Sequence, residues 1–297
     1  MRILVTGGSG FIGRHLLPLL ERHQLLLIGR SEPRVRLPNT TYVCGDLAET
    51  GVWREAVRKF SPEACIHLGW TGLPDYSLSR CMENFDSSVR LFELLSDMGC
   101  QKIFVAGTCW EYGNLRGQVG EADSPYSMNL FASFKTALRL VGESLTASRG
   151  LSFIWGRLFF VYGPGQRETS LVPSCYRALK KGQAPEVANP GAVNDFIHVS
   201  DVAHAIRALI EFPGVSGVFN IGSGVPARVG EVCQLVSKCL GGVRVVFETS
   251  TPSASDERGM LADVSLIKAK TGWTPRLSLQ AGIEQTLARW KEHDGRS

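Results

Sequence analysis

A doubly wound parallel α/β sheet with a smaller C-terminal α/β lobe is the fold that three features of this chain predict. An apolar run at residues 3–5 (Ile-Leu-Val) stops at a glycine turn, and a helical pattern opens at once with Phe11 and Ile12. Strand-like apolar runs then alternate with helical segments down the chain, the arrangement that builds parallel sheets. At 297 residues and 44% hydrophobic composition, the chain is long enough for such a sheet and a second lobe.

The turn reads Thr6-Gly7-x-x-Gly10-x-x-Gly13. Three glycines spaced three apart let the backbone turn sharply, approach a ligand closely and pack the helix on the strand. The helix N-terminus adds free N–H groups and a positive dipole end, so the turn fits a pyrophosphate. Glycines also join strands to helices for steric reasons alone; position, directly after a first strand and opening a helix, favours dinucleotide binding.

The pattern predicts a first helix through Leu16, Leu17, Leu19 and Leu20 with a kink at Pro18, and a second strand at 24–28 ending in Gly29-Arg30-Ser31. In NAD-binding folds of this kind an acidic residue near that strand end takes the ribose 2′-OH. Here Gly29 stands about where the acid would be, followed by Arg30, with Arg34 and Arg36 close behind. A guanidinium favours a 2′-phosphate, so NADP(H) is favoured over NAD(H), the alternative being arginines that only coat a solvated loop.

A third strand, 42–47, ends in Gly45-Asp46-Leu47, and a helix follows over about 49–60. The fourth strand, 64–68, ends in His67-Leu68-Gly69-Trp70, where His67 reads as a packed strand-end residue rather than a catalyst. A helix over about 78–98 precedes strand 102–106, and a sixth strand covers 151–158. Beyond it come helices at about 171–182 and 278–291 and a strand at 217–221.

Composition narrows the function. A formal charge of +4 is slight for this length and, without a basic run, points to neither nucleic acid nor membrane. No stretch reaches the roughly 18 apolar residues of a membrane span, and Met1 leads directly into a strand, so a cytoplasmic enzyme is expected. The eight cysteines form no C-x-x-C pair and no metal-ligand spacing with histidine; no metal is expected, and most read as small buried hydrophobes of a reducing compartment.

The glycine spacing resembles the fingerprint of the extended short-chain dehydrogenase/reductases, the family of nucleotide-sugar epimerases, dehydratases and ketoreductases. The resemblance runs from the first strand to the last helix and implies a cofactor domain at 1–162 and a mainly substrate-binding lobe at 163–297. It implies cofactor contacts at Gly7, Gly10, Phe11, Ile12, Gly13, Arg30, Ser31, Asp46, Leu47 and Leu68, with Asp46 and Leu47 near the adenine. Asn84 matches a recurrent family asparagine. The segment Gly107 to Gly113 resembles one in which a Ser or Thr four residues before a Tyr holds the substrate's reacting oxygen, here Thr108. Family 4,6-dehydratases carry Asp and Glu directly after it; this chain has Cys109 and Trp110, which disfavours dehydration.

The main departure is in the next helix. The family's catalytic Tyr-x-x-x-Lys corresponds to Phe131-Ala-Ser-Phe-Lys135, with residues 131 and 135 on one helix face and no phenol at 131. In the family that Tyr moves the substrate proton, and the Lys lowers its pKa and holds the nicotinamide ribose. Tyr126 is no obvious substitute, lying before the helix and roughly 140° around from residue 131. Two readings stay open: a deliberate replacement of tyrosine, or a divergent member that uses another donor, such as Cys109, Glu111 or water, or has lost catalysis.

Downstream, Arg157…Tyr162-Gly-Pro resembles the close of the family's cofactor half, and 193–202 resembles its Arg-Asp-Phe-x-x-Val-x-Asp-Val segment with Asn194 in the arginine's place. Arg258 and Arg167 are the candidates for a phosphate-binding arginine, and Trp70, Thr108, Cys109, Trp110 and Asn194 complete the expected substrate contacts. The implied activity is NADPH-dependent reduction of an NDP-4-keto-6-deoxyhexose, in keeping with Arg30 and with a substrate lobe shorter than that of related epimerases. Alternatives are an NDP-sugar epimerase with retained NAD and a non-catalytic dinucleotide sensor. The resemblance also implies a homodimer through the helices after the fourth and fifth strands.

Overall fold

The alternation of side chains along β1 (Arg2–Thr6) decides the layer structure. Ile3 and Val5 join one apolar cluster and Leu4 the other, all fully buried, so both faces of the strand are covered, as a parallel sheet requires. The computed structural model describes residues 1–32, 37–124, 126, 129–242, 245, 247 and 259–294, with 293 and 294 described for their backbone alone.

The remaining strands of the central sheet are β2 (Gln24–Gly29), β3 (Thr40–Cys44), β4 (Ala64–His67), β5 (Lys102–Thr108), β7 (Ser152–Leu158) and β10 (Gly217–Ile221). They run parallel in the order β3-β2-β1-β4-β5-β7-β10. The order reverses between β1 and β4, and ligands of such sheets bind outside the carboxyl ends of the strands at that reversal. On one face lie α2 (Thr50–Phe60), α3 (Leu78–Asp97) and α4 (Leu130–Ala147), through Trp53, Leu91, Phe92 and Leu138. The other face takes α1 (Gly13–Leu16) and α6 (Val199–Glu211), through Leu16, Val202, Ile206 and Leu209.

A second sheet, β11-β9-β12-β6 with β8 on β9, is formed by β6 (Gly117–Val119), β8 (Phe160–Tyr162), β9 (Val193–His198), β11 (Pro226–Arg228) and β12 (Met260–Ala262). With α5 (Leu171–Lys180), α7 (Val229–Cys239) and α9 (Leu279–Asp294) it packs around Tyr162, Val172, Phe196, Val232 and Ile283; α8 (Ser265–Thr271) puts Ile267 into the first core. The chain passes between the sheets more than once, since β10 and α6 return to the first and β6 departs from it.

One local expectation is corrected. The helix expected from Phe11 through Leu20 is a single α-turn, α1, followed by a 3₁₀ turn at Leu17–Leu20. Pro18 has no N–H to donate to the carbonyl four residues back, so the helix changes type rather than bending. Leu16, Leu17 and Leu20 are buried regardless. Among the described residues, no helix is long and apolar enough to cross a membrane.

Candidate active site

The glycine turn, the ends of β2 to β5 and the start of α4 surround a cavity of about 690 Å³ at the carboxyl end of the sheet. That is within the size range of small-molecule sites. Gly7, Gly10, Phe11, Ile12, Gly13, Arg30, Ser31, Asp46, Leu47, Leu68, Trp70, Thr108, Cys109, Trp110, Phe131, Lys135 and Arg167 all line it. Asn194 lies on β9 outside this lining, opposite Ala227 and Met260. Arg258, like Arg34 and Arg36, lies outside the described residues.

At the glycine turn, space explains the sequence. Gly7 has φ +72°, and a Cβ on Gly13 would stand 2.4 Å from the Gly7 carbonyl oxygen and 2.5 Å from that of Gly8. Only a bare backbone closes this turn. The adjoining end of β2 is pinned by the Tyr42 hydroxyl, which donates to the Gly29 carbonyl at 2.5 Å, while Ser31 Oγ donates to Ser9 Oγ at 3.4 Å. Arg30 and Ser31 are exposed there, and β2's end contributes no carboxylate to the cavity. Asp46 Oδ1 accepts the Ala48 N–H at 3.0 Å, turn chemistry that leaves its other oxygen uncommitted among the described residues.

The opposite end is buried and aromatic. Asn129 caps α4 by accepting the Ala132 N–H at 2.9 Å, which sets Phe131 and Lys135 one turn apart on the helix's cavity face. Phe131 is 9% exposed and its ring packs against Trp70, Tyr76 and Trp110 at centroid distances of 5.3, 5.2 and 6.0 Å. The Lys135 ammonium donates to the Ala106 carbonyl at 2.9 Å and stands 4.0 Å from the Trp70 ring centroid. Burial pulls its pKa down to about 7, against the opposing pull of Glu111. Trp70 Nε1 is buried without a hydrogen-bond partner among the described residues, a donor left over at the cavity wall.

Thr108 ends β5. Its Oγ1 accepts the Trp110 N–H at 3.3 Å, which leaves the hydroxyl proton free to donate to a substrate oxygen. Behind it Glu111, fully buried, accepts from the Thr108 N–H at 3.0 Å, Trp155 Nε1 at 2.8 Å and Arg157 Nε at 3.0 Å. Glu111 is thus the anchor of Thr108 and is too fully engaged to serve as the alternative proton donor. Cys109 lines the cavity but burial pushes its thiol well up, which makes it a poor acid. His67 is held between Thr6 Oγ1 at 2.7 Å and Ser88 Oγ at 3.0 Å, packed as its sequence context indicates. Asn84 grips Thr71 by accepting its N–H at 2.6 Å and donating to its carbonyl at 3.1 Å, which shapes the loop after β4.

That loop is what the linear sequence hid. Thr71, Leu73 and Tyr76 line the cavity, and Tyr76 packs directly on Phe131 although the two stand 55 positions apart in the chain. The signal was available: loops that leave neighbouring strands β4 and β5 must meet at the carboxyl edge.

The family model for the NAD dependent epimerase/dehydratase family matches residues 3–222. The chain belongs to that family. Among its relatives, the dTDP-4-dehydro-6-deoxyglucose reductase of Escherichia coli is 25% identical over 318 aligned positions that span 96% of each chain. MoeE5, solved with UDP-glucuronic acid and NAD, superposes with a TM-score of 0.84 at 27% identity, over 99% of this chain and all of the other. The UDP-glucose 4-epimerase of Thermotoga maritima, solved with UDP-glucose, superposes with a TM-score of 0.87 over 99% of each chain; at 24% identity it speaks to the fold. The epimerase/dehydratase family's cofactor is a nicotinamide dinucleotide, and a glycine cradle that tolerates no Cβ, a 690 Å³ cavity and an orphaned indole N–H fit such a ligand.

Proposed function

We propose that this protein reduces an NDP-4-keto-6-deoxyhexose with NADPH. The observation that carries the reading is one continuous cavity with Arg30 and Ser31, and no carboxylate from β2, at one end and Thr108 and Lys135 at the other. Gly7, Gly10 and Gly13 would take the pyrophosphate, Arg30 and Ser31 a 2′-phosphate, and Asp46 and Leu47 the adenosine side. Lys135 would leave the Ala106 carbonyl to hold the nicotinamide ribose, and with a pKa of about 7 it can carry or release a proton near neutrality. Bound there, the reduced nicotinamide supplies a hydride to the sugar ketone. Thr108 donates its free hydroxyl proton as a hydrogen bond to the ketone oxygen, and Trp70, Phe131 and Trp110 keep bulk water from it. The relation to the E. coli reductase supports the substrate class.

We further propose that residues 1–162 mainly hold the cofactor and 163–297 mainly the nucleotide sugar, and that the chain forms a homodimer through α3 and α4. Those helices pack on each other and expose Leu78, Met82, Leu130 and Leu140. A monomeric mass in solution overturns the dimer. The activity is tested by following NADPH absorbance with dTDP- and GDP-linked 4-keto-6-deoxyhexoses: turnover with NADPH supports the reading, whereas purification with tightly held NAD and interconversion of sugar epimers supports an epimerase. Dinucleotide binding without turnover of any nucleotide sugar supports a sensor.

A further inference from the structure

We propose that Tyr76 is the proton donor of this site, replacing the phenol that position 131 lacks; the assignment rests on the reductase reading above. Tyr76 stands directly before α3, and its backbone is fixed on the C-terminal side. Ser77 donates its N–H to Asp75 Oδ1 at 2.9 Å and caps the helix by accepting the Arg80 N–H at 3.4 Å, and the Cys81 thiol reaches the Tyr76 carbonyl at 3.7 Å. Its ring lies 5.2 Å from that of Phe131, tilted by 49°, and 5.7 Å from that of Trp110. Tyr76 therefore lines the same cavity as Thr108 and Lys135, from the loop beside α4 instead of from α4 itself.

The phenols of Tyr42, Tyr112, Tyr126 and Tyr162 are either engaged or outside the cavity lining. Tyr162 also lines the cavity, but its hydroxyl donates to the Leu279 carbonyl at 3.2 Å. Tyr112 donates to Asn220 Oδ1 at 2.7 Å, Tyr42 to Gly29, and Tyr126 is exposed and outside the lining. The Tyr76 hydroxyl has no hydrogen-bond partner among the described residues, and the residue is half-buried at the cavity wall.

In the step, the ketone carbon gains the hydride supplied by the reduced dinucleotide and the C=O π bond breaks. The oxygen, held by Thr108, takes the Tyr76 proton, and water reprotonates the phenolate. An alkoxide is a far stronger base than a phenolate, so the transfer runs downhill. Phe131 then serves as the wall that holds the Tyr76 ring.

The test is Tyr76→Phe in the full chain, assayed with NADPH and dTDP-4-keto-6-deoxyglucose. The expected result is a kcat about 10²- to 10⁴-fold lower, with the dissociation constants of NADP⁺ and the sugar nucleotide, read by tryptophan fluorescence, within about twofold of the parent. Adding Phe131→Tyr to Tyr76→Phe should recover at least about tenfold. Should Tyr76→Phe fold poorly, 3,5-difluorotyrosine at position 76 keeps the shape with a more acidic hydroxyl and should move the alkaline limb of the rate profile to lower pH. A Tyr76→Phe enzyme with unchanged kcat, or an unmoved limb in the fluorinated protein, overturns the assignment and leaves the reductase reading standing. Parent protein that binds NADP(H) yet turns over no nucleotide sugar overturns both.

Discussion

The two ends of the cavity are built on opposite principles. Toward β2 the ligand would meet backbone amides of the glycine turn and exposed side chains, Arg30 and Ser31; toward α4 it would meet buried rings, a buried ammonium and a threonine anchored by a buried carboxylate. Exposed contacts can be exchanged singly with local consequences, since water replaces what is lost. At the buried end Lys135 is tied to Ala106 and Glu111 to Thr108, Trp155 and Arg157, so a change at either alters chemistry and stability together.

Lys135→Met should give the largest separation of the two. We expect kcat/KM to fall about 10²- to 10⁴-fold. Stability should move the other way below neutral pH. Burial lowers the folded-state pKa to about 7 from an ordinary value of 10.5, so the unfolded chain binds the extra proton between those values. The folded state therefore weakens as pH falls from about 10.5 to about 7, and at pH 6 it carries the full cost of a buried ammonium. A urea midpoint at pH 6 that is higher in Lys135→Met than in the parent bears this out; a lower one shows the ammonium to be stabilising.

Glu111→Ala tests the anchor. Removing the carboxylate strands the Arg157 guanidinium and the Trp155 and Thr108 N–H groups, and breaking a buried ion pair on one side costs about 3–5 kcal/mol. The loss is to be read as the shift in urea midpoint at pH 7. Glu111→Gln, which keeps the acceptor oxygen, should recover part of it.

Acid sharpens the same contrast. Burial holds His67 at a pKa of about 3 and His198 at about 4, both down from 6.5. Below pH 6.5 the unfolded chain gains protons that the folded chain refuses, so stability present above pH 6.5 is lost progressively as pH falls toward those values. Each histidine contributes a slope of up to about 1.4 kcal/mol per pH unit. His67→Gln should flatten the decline between pH 6.5 and 4, measured by urea unfolding; an unchanged slope would place the titrating group elsewhere.

How far the sequence could be read follows the same division. The glycine turn, the strand ends and Lys135 lie on regular elements with short-range signals, and residues 131 and 135 share a helix face by spacing alone. The cavity wall from the β4 loop does not: Tyr76 meets Phe131 through strand order, not through spacing in the chain. Glu111 stays open as a donor on sequence alone for a related reason, because its neighbours Cys109 and Trp110 line the cavity while its own side chain turns inward to Arg157 on β7. The single-turn α1 shows the limit at short range: leucine spacing fits both helix types, and Pro18 selects between them.

The smallest effect belongs to the open end. Arg30 is exposed, so its replacement should leave the melting temperature nearly unchanged and act on the cofactor alone. Arg30→Ala removes a guanidinium suited to a 2′-phosphate, and a charge-assisted hydrogen bond of that kind corresponds to about tenfold in affinity. NADPH binding should weaken by about that factor while NADH binding stays within about twofold, both read by fluorescence titration. The effect should shrink further in 0.5 M salt, since an exposed charge is screened there, whereas the losses from Lys135→Met and Glu111→Ala should not. Equal weakening toward NADPH and NADH would assign Arg30 to the diphosphate or the adenine rather than to the 2′ position, and would remove the ground for proposing NADPH over NADH.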